Sequence, residues 1–181
     1  MARPKDVQRR EELLDAVLAT LGEEGLGTRS LREIAEASGT SHRMLIHHFG
    51  SREGLLVAVV DAMEARQRAR MGTLDPAAPT FLADMWDELR APVNRGVERL
   101  FFECYARGAN GEEPFAGMHP GSVRTWVDAA EVQGMDPVLA RLGLAVVRGL
   151  LLDLAATGDA AEVDAALTRF DALVRGYTVS P

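Results

Sequence analysis

The chain has 181 residues, 47% of them hydrophobic and 26% charged, with a formal net charge of -7 and a pI near 5.1. That apolar fraction belongs to a folded globular chain and excludes a disordered one, while the acidic balance excludes a protein whose whole surface receives polyanions. The single cysteine, Cys104, excludes an intrachain disulfide and a thiolate metal cluster.

Charge is unevenly distributed. Up to Arg52 the bases Arg3, Lys5, Arg9, Arg10, Arg29, Arg32, Arg43 and Arg52 balance the acids Asp6, Glu11, Glu12, Asp15, Glu23, Glu24, Glu33 and Glu36, so the net charge of -7 lies beyond that point. The first residues carry no apolar stretch of the kind a signal peptide needs. The most apolar run, Leu142 to Ala156, is broken by Arg148 and Asp153 and is shorter than the roughly 20 residues of a bilayer span. A cytoplasmic protein is expected.

Helical periodicity dominates, without sustained two-residue alternation or an internal repeat. The first helix is expected from about Asp6 to Gly22, with Leu14, Leu18 and Leu21 on one stripe and Gly25 and Gly27 as its stop. Ser30 opens S-L-R-E, a capping box for a short helix Leu31 to Ala37 that buries Leu31, Ile34 and Ala35. Ser38-Gly39-Thr40 is a tight turn, and Ser41 caps the next helix, His42 to Phe49. Two short helices joined by such a turn form a helix-turn-helix pattern. Gly50 ends the pair, and Ser51 starts a long helix reaching about Arg70, before the breaker cluster Leu74 to Pro79. Further helices are expected near Thr80 to Arg90, Pro92 to Arg107, Gly121 to Gln133, Pro137 to Thr157 and Ala160 to Tyr177, with Gly108 to Pro120 read as a mobile loop.

The stretch Thr40 to Phe49 holds three of the four histidines. With Leu45 and Phe49 on its core face, Arg43 and His47 point outward, flanked by Met44 and Ile46. His42 and His47 are five apart, His47 and His48 are adjacent, and no Asp, Glu or Cys lies among them. That spacing argues against a metal site, and no metal is expected. A short helix presenting Ser41, His42 and Arg43 at its exposed start has donors for phosphates and base edges, as a helix entering the major groove requires.

At these residues the chain resembles the TetR family of bacterial transcriptional regulators. The family pattern S/T-V-R-D-I-A-x-x-A-G-V-S-x-G-x-L-Y-x-H-F-x-x-K-x-x-L is met here by S-L-R-E-I-A-E-A-S-G-T-S-H-R-M-L-I-H-H-F-G-S-R-E-G-L, with Gly25 before it. Ser30, Ile34, Ala35, Gly39, Ser41, Leu45, His48, Phe49, Arg52 and Leu55 fall in register. Among the departures from the pattern, Ile46 replaces a Tyr whose hydroxyl meets phosphate, Arg43 replaces a small residue, and Thr40 replaces Val. The resemblance implies that Arg29, Ser30, Thr40, Ser41 and His47 lie near phosphates and that His42, Arg43, Met44 and Ile46 face base edges. It also implies an arm carrying Arg3 and Lys5. Arg52 caps carbonyls or reaches phosphate.

The fold expected is all-α with about nine helices: a three-helix DNA-binding head at residues 1–50, a connecting helix at 51–73, and a larger helical domain at 74–181. The resemblance implies that this last domain dimerises and binds a small molecule. Independently, the run from Val138 to Ala156 is apolar on most faces, with small Ala145 and Gly149, and the last helix offers Val163, Leu167, Phe170 and Val174. Both features fit a homodimer joined through the last two helices. Trp86, Phe101, Phe102, Tyr105 and Trp126 are the candidate effector contacts.

The function expected is that of a ligand-responsive regulator, a repressor bound as a dimer to a palindromic operator and released by its effector. One alternative is a helical small-molecule-binding or enzymatic protein with a remnant head; another is effector-independent architectural DNA binding. Catalysis has no support, since Asp84, Asp87, Glu88, Glu98 and Glu103 lack a matching His cluster and read as solvated helix faces. No cofactor is expected.

Overall fold

The computed structural model describes residues 4–24 and 29–178. Among the described residues the architecture is all-helical: α1 (Pro4–Glu24), α2 (Leu31–Ala37), α3 (His42–Phe49), α4 (Arg52–Met71), α5 (Phe81–Leu89), α6 (Arg95–Ala109), α7 (Met118–Val132), α8 (Pro137–Thr157) and α9 (Ala160–Thr178). Short 3-10 turns at Pro92–Asn94 and Phe115–Gly117 precede α6 and α7. Gly25 and Gly27, the expected stop of the first helix, lie outside the described residues.

Local chemistry sets the boundaries of the first short helices. The Ser30 hydroxyl accepts from the Glu33 amide at 3.3 Å, and the Glu33 carboxylate accepts from the Ser30 amide at 2.7 Å, completing the capping box. The Ser30 hydroxyl also donates to that carboxylate at 2.7 Å, and this bond first and the amide second hold the Glu33 carboxyl below its ordinary range. Gly50 closes α3 at φ 77, a left-handed conformation that a side chain would strain.

The helices pack as two compact units, Met1–Gln67 with Pro92–Ser122, and Arg68–Ala91 with Val123–Pro181. In the first, Val17 and Leu21 of α1, Ile34, Leu45, Leu55, Val59 and Val60 share one buried cluster with Leu100, Phe101 and Cys104 of α6 and with Phe115. The end of α1 and the start of α6 meet backbone to backbone: a Cβ on Gly96 would overlap the Leu21 carbonyl oxygen, and one on Gly22 would stand 2.7 Å from that of Val93. Burial pushes the Cys104 thiol up to about 12.

Helices α5, α8 and α9 build the second unit around Trp86, Leu89, Val147, Leu151, Val163 and Leu167. The Trp86 indole N–H donates to the Asp164 carboxylate at 2.7 Å, giving a buried ring's polar edge its partner. Asp136 caps α8 by accepting from the Leu139 amide at 2.8 Å, with Pro137 in the first helical position; Gly158, at φ 74, stops it. Val138, Leu142, Ala145, Gly149 and Leu152 of α8 are exposed along the single chain. Their spacing of four, three, four and three residues is that of a helix-pairing seam.

Two expectations need correction. The stretch Gly108 to Pro120 is not an unanchored loop: α6 runs to Ala109, α7 starts at Met118, and Phe115 between them is fully buried. The Arg107 guanidinium lies 4.1 Å from the Phe115 ring centre and donates to Glu112 from Nε at 3.0 Å, so the segment is pinned by an aromatic plug under a cation. Glu98 is not on a solvated face. Its carboxylate is buried and accepts from Gln67 Nε2 at 2.7 Å.

Candidate nucleic-acid interface

The recognition segment is assembled from its caps outward. The Ser41 hydroxyl accepts from the Met44 amide at 3.2 Å, which fixes the first turn of α3 and leaves that hydroxyl its own proton to donate. The first amides of α3 have no intrahelical acceptor and carry the positive end of the helix dipole, an arrangement suited to phosphate. Leu45 is completely buried and Phe49 half-buried, with the Arg10 guanidinium 5.1 Å from the Phe49 ring centre. These anchors leave His42, Arg43, Ile46 and His47 exposed. The outward face deduced from helical geometry is the face observed.

The remaining candidates fall into three groups. Ser30 is exposed, whereas Arg29, Thr40 and Met44 are half-buried. Arg52 donates from Nε to the Arg29 carbonyl at 2.9 Å and sits 4.0 Å from Glu53, so its side chain joins the entry to α2 with the first turn of α4. Arg3 lies outside the described residues, as does the side chain of Lys5.

Among the effector candidates, Phe101, Phe102 and Tyr105 form an aromatic group on α6, with ring centres 5.2 and 5.4 Å from that of Phe101. Trp86 and Trp126 belong to the second unit, Trp86 bonded to Asp164 and Trp126 with the Arg68 guanidinium 5.5 Å from its ring centre.

Sequence reasoning missed a polar group in the first unit. Glu64, Gln67 and Glu98 are buried, and Ser122 donates to Glu64 at 2.5 Å. A signal was present: Val60, Glu64, Gln67 and Met71 recur at i, i+4, i+7 and i+11, so two polar residues interrupt one apolar stripe of α4. It also missed Asp6. From the first turn of α1, its carboxylate lies 3.8 Å from Nδ1 of His48.

A capped, outward-facing second helix of a helix-turn-helix, fixed on a helical core, is the arrangement that DNA-binding heads use. Residues 13–59 match the family described as bacterial regulatory proteins, tetR family. That segment, about a quarter of the chain, is similar to the DNA-binding domain of that family.

Among curated relatives, the HTH-type transcriptional regulatory protein RaaS of Mycobacterium tuberculosis is 37% identical over 96 residues, covering 50% of this chain and 44% of that protein. The HTH-type transcriptional regulator BetI of Pseudomonas aeruginosa is 28% identical over 179 residues, covering 88% and 87%. The match covers only 44% and 59% of the length of the first two curated relatives. In fold, a TetR-family regulator from Pectobacterium atrosepticum superposes with a TM-score of 0.77 at 21% identity over 100% of both chains. The multidrug binding protein EbrR, complexed with imidazole, gives 0.66 at 22% identity over 93% of each. At these identities the two structures establish the shared fold alone. No helix among the described residues is long and apolar enough to cross a membrane.

Proposed function

We propose that the chain is a ligand-responsive DNA-binding transcriptional regulator of the cytoplasm, acting by binding rather than catalysis. A homodimer holds two heads on a palindromic operator as a repressor, and a small molecule releases it. The observation that carries this reading is the build of α3: Leu45 is buried while Ser41, His42, Arg43 and His47 stand exposed. Ser41, His47 and the arm with Arg3 and Lys5 meet phosphates, together with Arg29, Ser30 and Thr40. His42, Arg43, Met44 and Ile46 face bases. Ile46 brings an apolar surface suited to a thymine methyl where a hydroxyl would have bonded phosphate.

The exposed α8 seam supports pairing through α8 and α9. Such a stripe is an unusual surface for a lone chain and an ordinary one for half of a helix bundle. For the effector, the Phe101, Phe102 and Tyr105 group shares the first unit with buried Glu64, Gln67 and Glu98 and half-buried Ser122, and apolar walls with a few polar handles are how small-molecule sites are built. Trp126 remains a candidate contact, whereas the indole N–H of Trp86 is committed to Asp164.

The functional division into head (1–50), connector (51–73) and effector domain (74–181) is part of the proposal. Helix α4 carries head-core residues Leu55 and Val59 at one end and Glu64 and Gln67 further along, so a shift at its polar end is felt in the head. The Gly96 approach to Leu21 gives α6 a second route to α1.

Selection of bound duplexes from a random pool tests the reading. A palindrome with half-site centres about one helical turn, 34–36 Å, or a multiple of it apart is expected. Enrichment of no sequence would overturn it.

A further inference from the structure

The histidines of α3 have a partner that local spacing concealed. Consecutive residues of a helix diverge by about 100°, yet the rings of His47 and His48 meet edge to face with centres 4.9 Å apart. Asp6, from the first turn of α1, closes the group: one donor atom each from Asp6, His47 and His48 all lie within 4.8 Å of one another. The expectation of no metal rested on the spacing of the histidines and on the lack of Asp, Glu or Cys among them; the tertiary fold brings a carboxylate to two of them.

We infer that Asp6, His47 and His48 form a binding site for a divalent transition metal, taken here as zinc, that fastens the start of α1 to the end of the recognition helix. Two imidazoles and a carboxylate are a donor set suited to zinc, leaving a fourth position open. Zinc bonds of about 2.0–2.1 Å at tetrahedral angles place donor atoms about 3.4 Å apart. The Asp6 to His48 distance of 3.8 Å is near that already. His47 and Asp6 are exposed and free to close the remainder by side-chain rotation, while His48 is nearly buried and sets the anchor.

The site bears on DNA. The carboxylate of Asp6 repels phosphate, and a dication held beside exposed His47 reverses that local charge and offers its open position to a phosphodiester oxygen. This second step rests on the proposed DNA-binding role; metal uptake does not. Zinc is therefore expected to tighten operator binding at least about fivefold, and linkage requires the operator to tighten zinc binding by the same factor.

The test uses the untagged full chain. Cobalt(II), a spectroscopic stand-in, is titrated without DNA and then displaced by zinc; one ion per chain with the intense visible band of low-coordinate cobalt is expected. Asp6→Asn and His47→Ala change exposed side chains, and each should weaken uptake by more than the roughly 10- to 100-fold that loss of an outer-shell partner costs. Absence of stoichiometric uptake, or equal uptake by Asp6→Asn, overturns the site. Operator affinity is then measured with zinc and with a chelator for the parent and for Asp6→Asn. A zinc effect confined to the parent supports the coupling, and uptake without any such effect overturns it. Uptake in a chain that selects no duplex leaves the site standing and overturns the DNA-binding reading instead.

Discussion

Arg43 concentrates the question of what α3 reads. It is exposed at the start of the helix, where its planar fork of donors can engage the O6 and N7 of guanine together. Changing Arg43 to Ala is expected to cost about 1–3 kcal/mol and to relax preference at one symmetric pair of positions in selected duplexes. Uniform weakening across sequences would place Arg43 on phosphate instead. Cys104 gives a second check at this scale. With its thiol held near 12 by burial, the thiolate that alkylating reagents need is scarce at about pH 8. Native protein should resist iodoacetamide and label rapidly once unfolded in urea; rapid native labelling would show that α6 is not buried as described.

The approach of α6 to α1 and the exposed stripe of α8 carry the predictions made for whole helices. Gly96→Ala places a methyl group against a backbone carbonyl, which neither helix can yield without moving, so a loss of about 1–3 kcal/mol is expected in urea unfolding. An unchanged midpoint would contradict that close packing. On α8, Leu142 is 51% exposed in the single chain, so Leu142→Glu should leave the monomer's stability within about 0.5 kcal/mol. Burying the new carboxylates against a second copy is costly, and sedimentation equilibrium should report a shift to monomer. A variant still dimeric would move the interface off this face.

Helices α2, α3 and α8 were legible to the residue because their ends are written locally, in Ser30 with Glu33, in Ser41 and Gly50, and in Asp136 with Gly158. The start of α7 was not. Pro120 reads as a breaker, but it falls in the first turn, where a missing amide hydrogen costs nothing.

The outward face of the recognition helix could also be read from sequence, since Leu45 and helical geometry fix it. What sequence could not show is what distant elements bring together. Asp6 stands more than 40 positions before His47, and nothing in either neighbourhood announces the other. Glu98 looks like any helix-surface carboxylate until Gln67 of α4 is placed against it. Arg52 matched a family position, yet the structure turns its Nε to the Arg29 carbonyl, a joint that only the folded head contains.

The central claim is that two chains, paired through their last helices, place two α3 segments on one duplex. The mass of the complex formed on a selected palindrome, measured by sedimentation equilibrium at varied protein concentration, tests this most directly. Two chains, or a multiple of two, per duplex are expected, with affinity collapsing when one half-site is scrambled. One chain per duplex, or equal affinity for scrambled competitor, would contradict it.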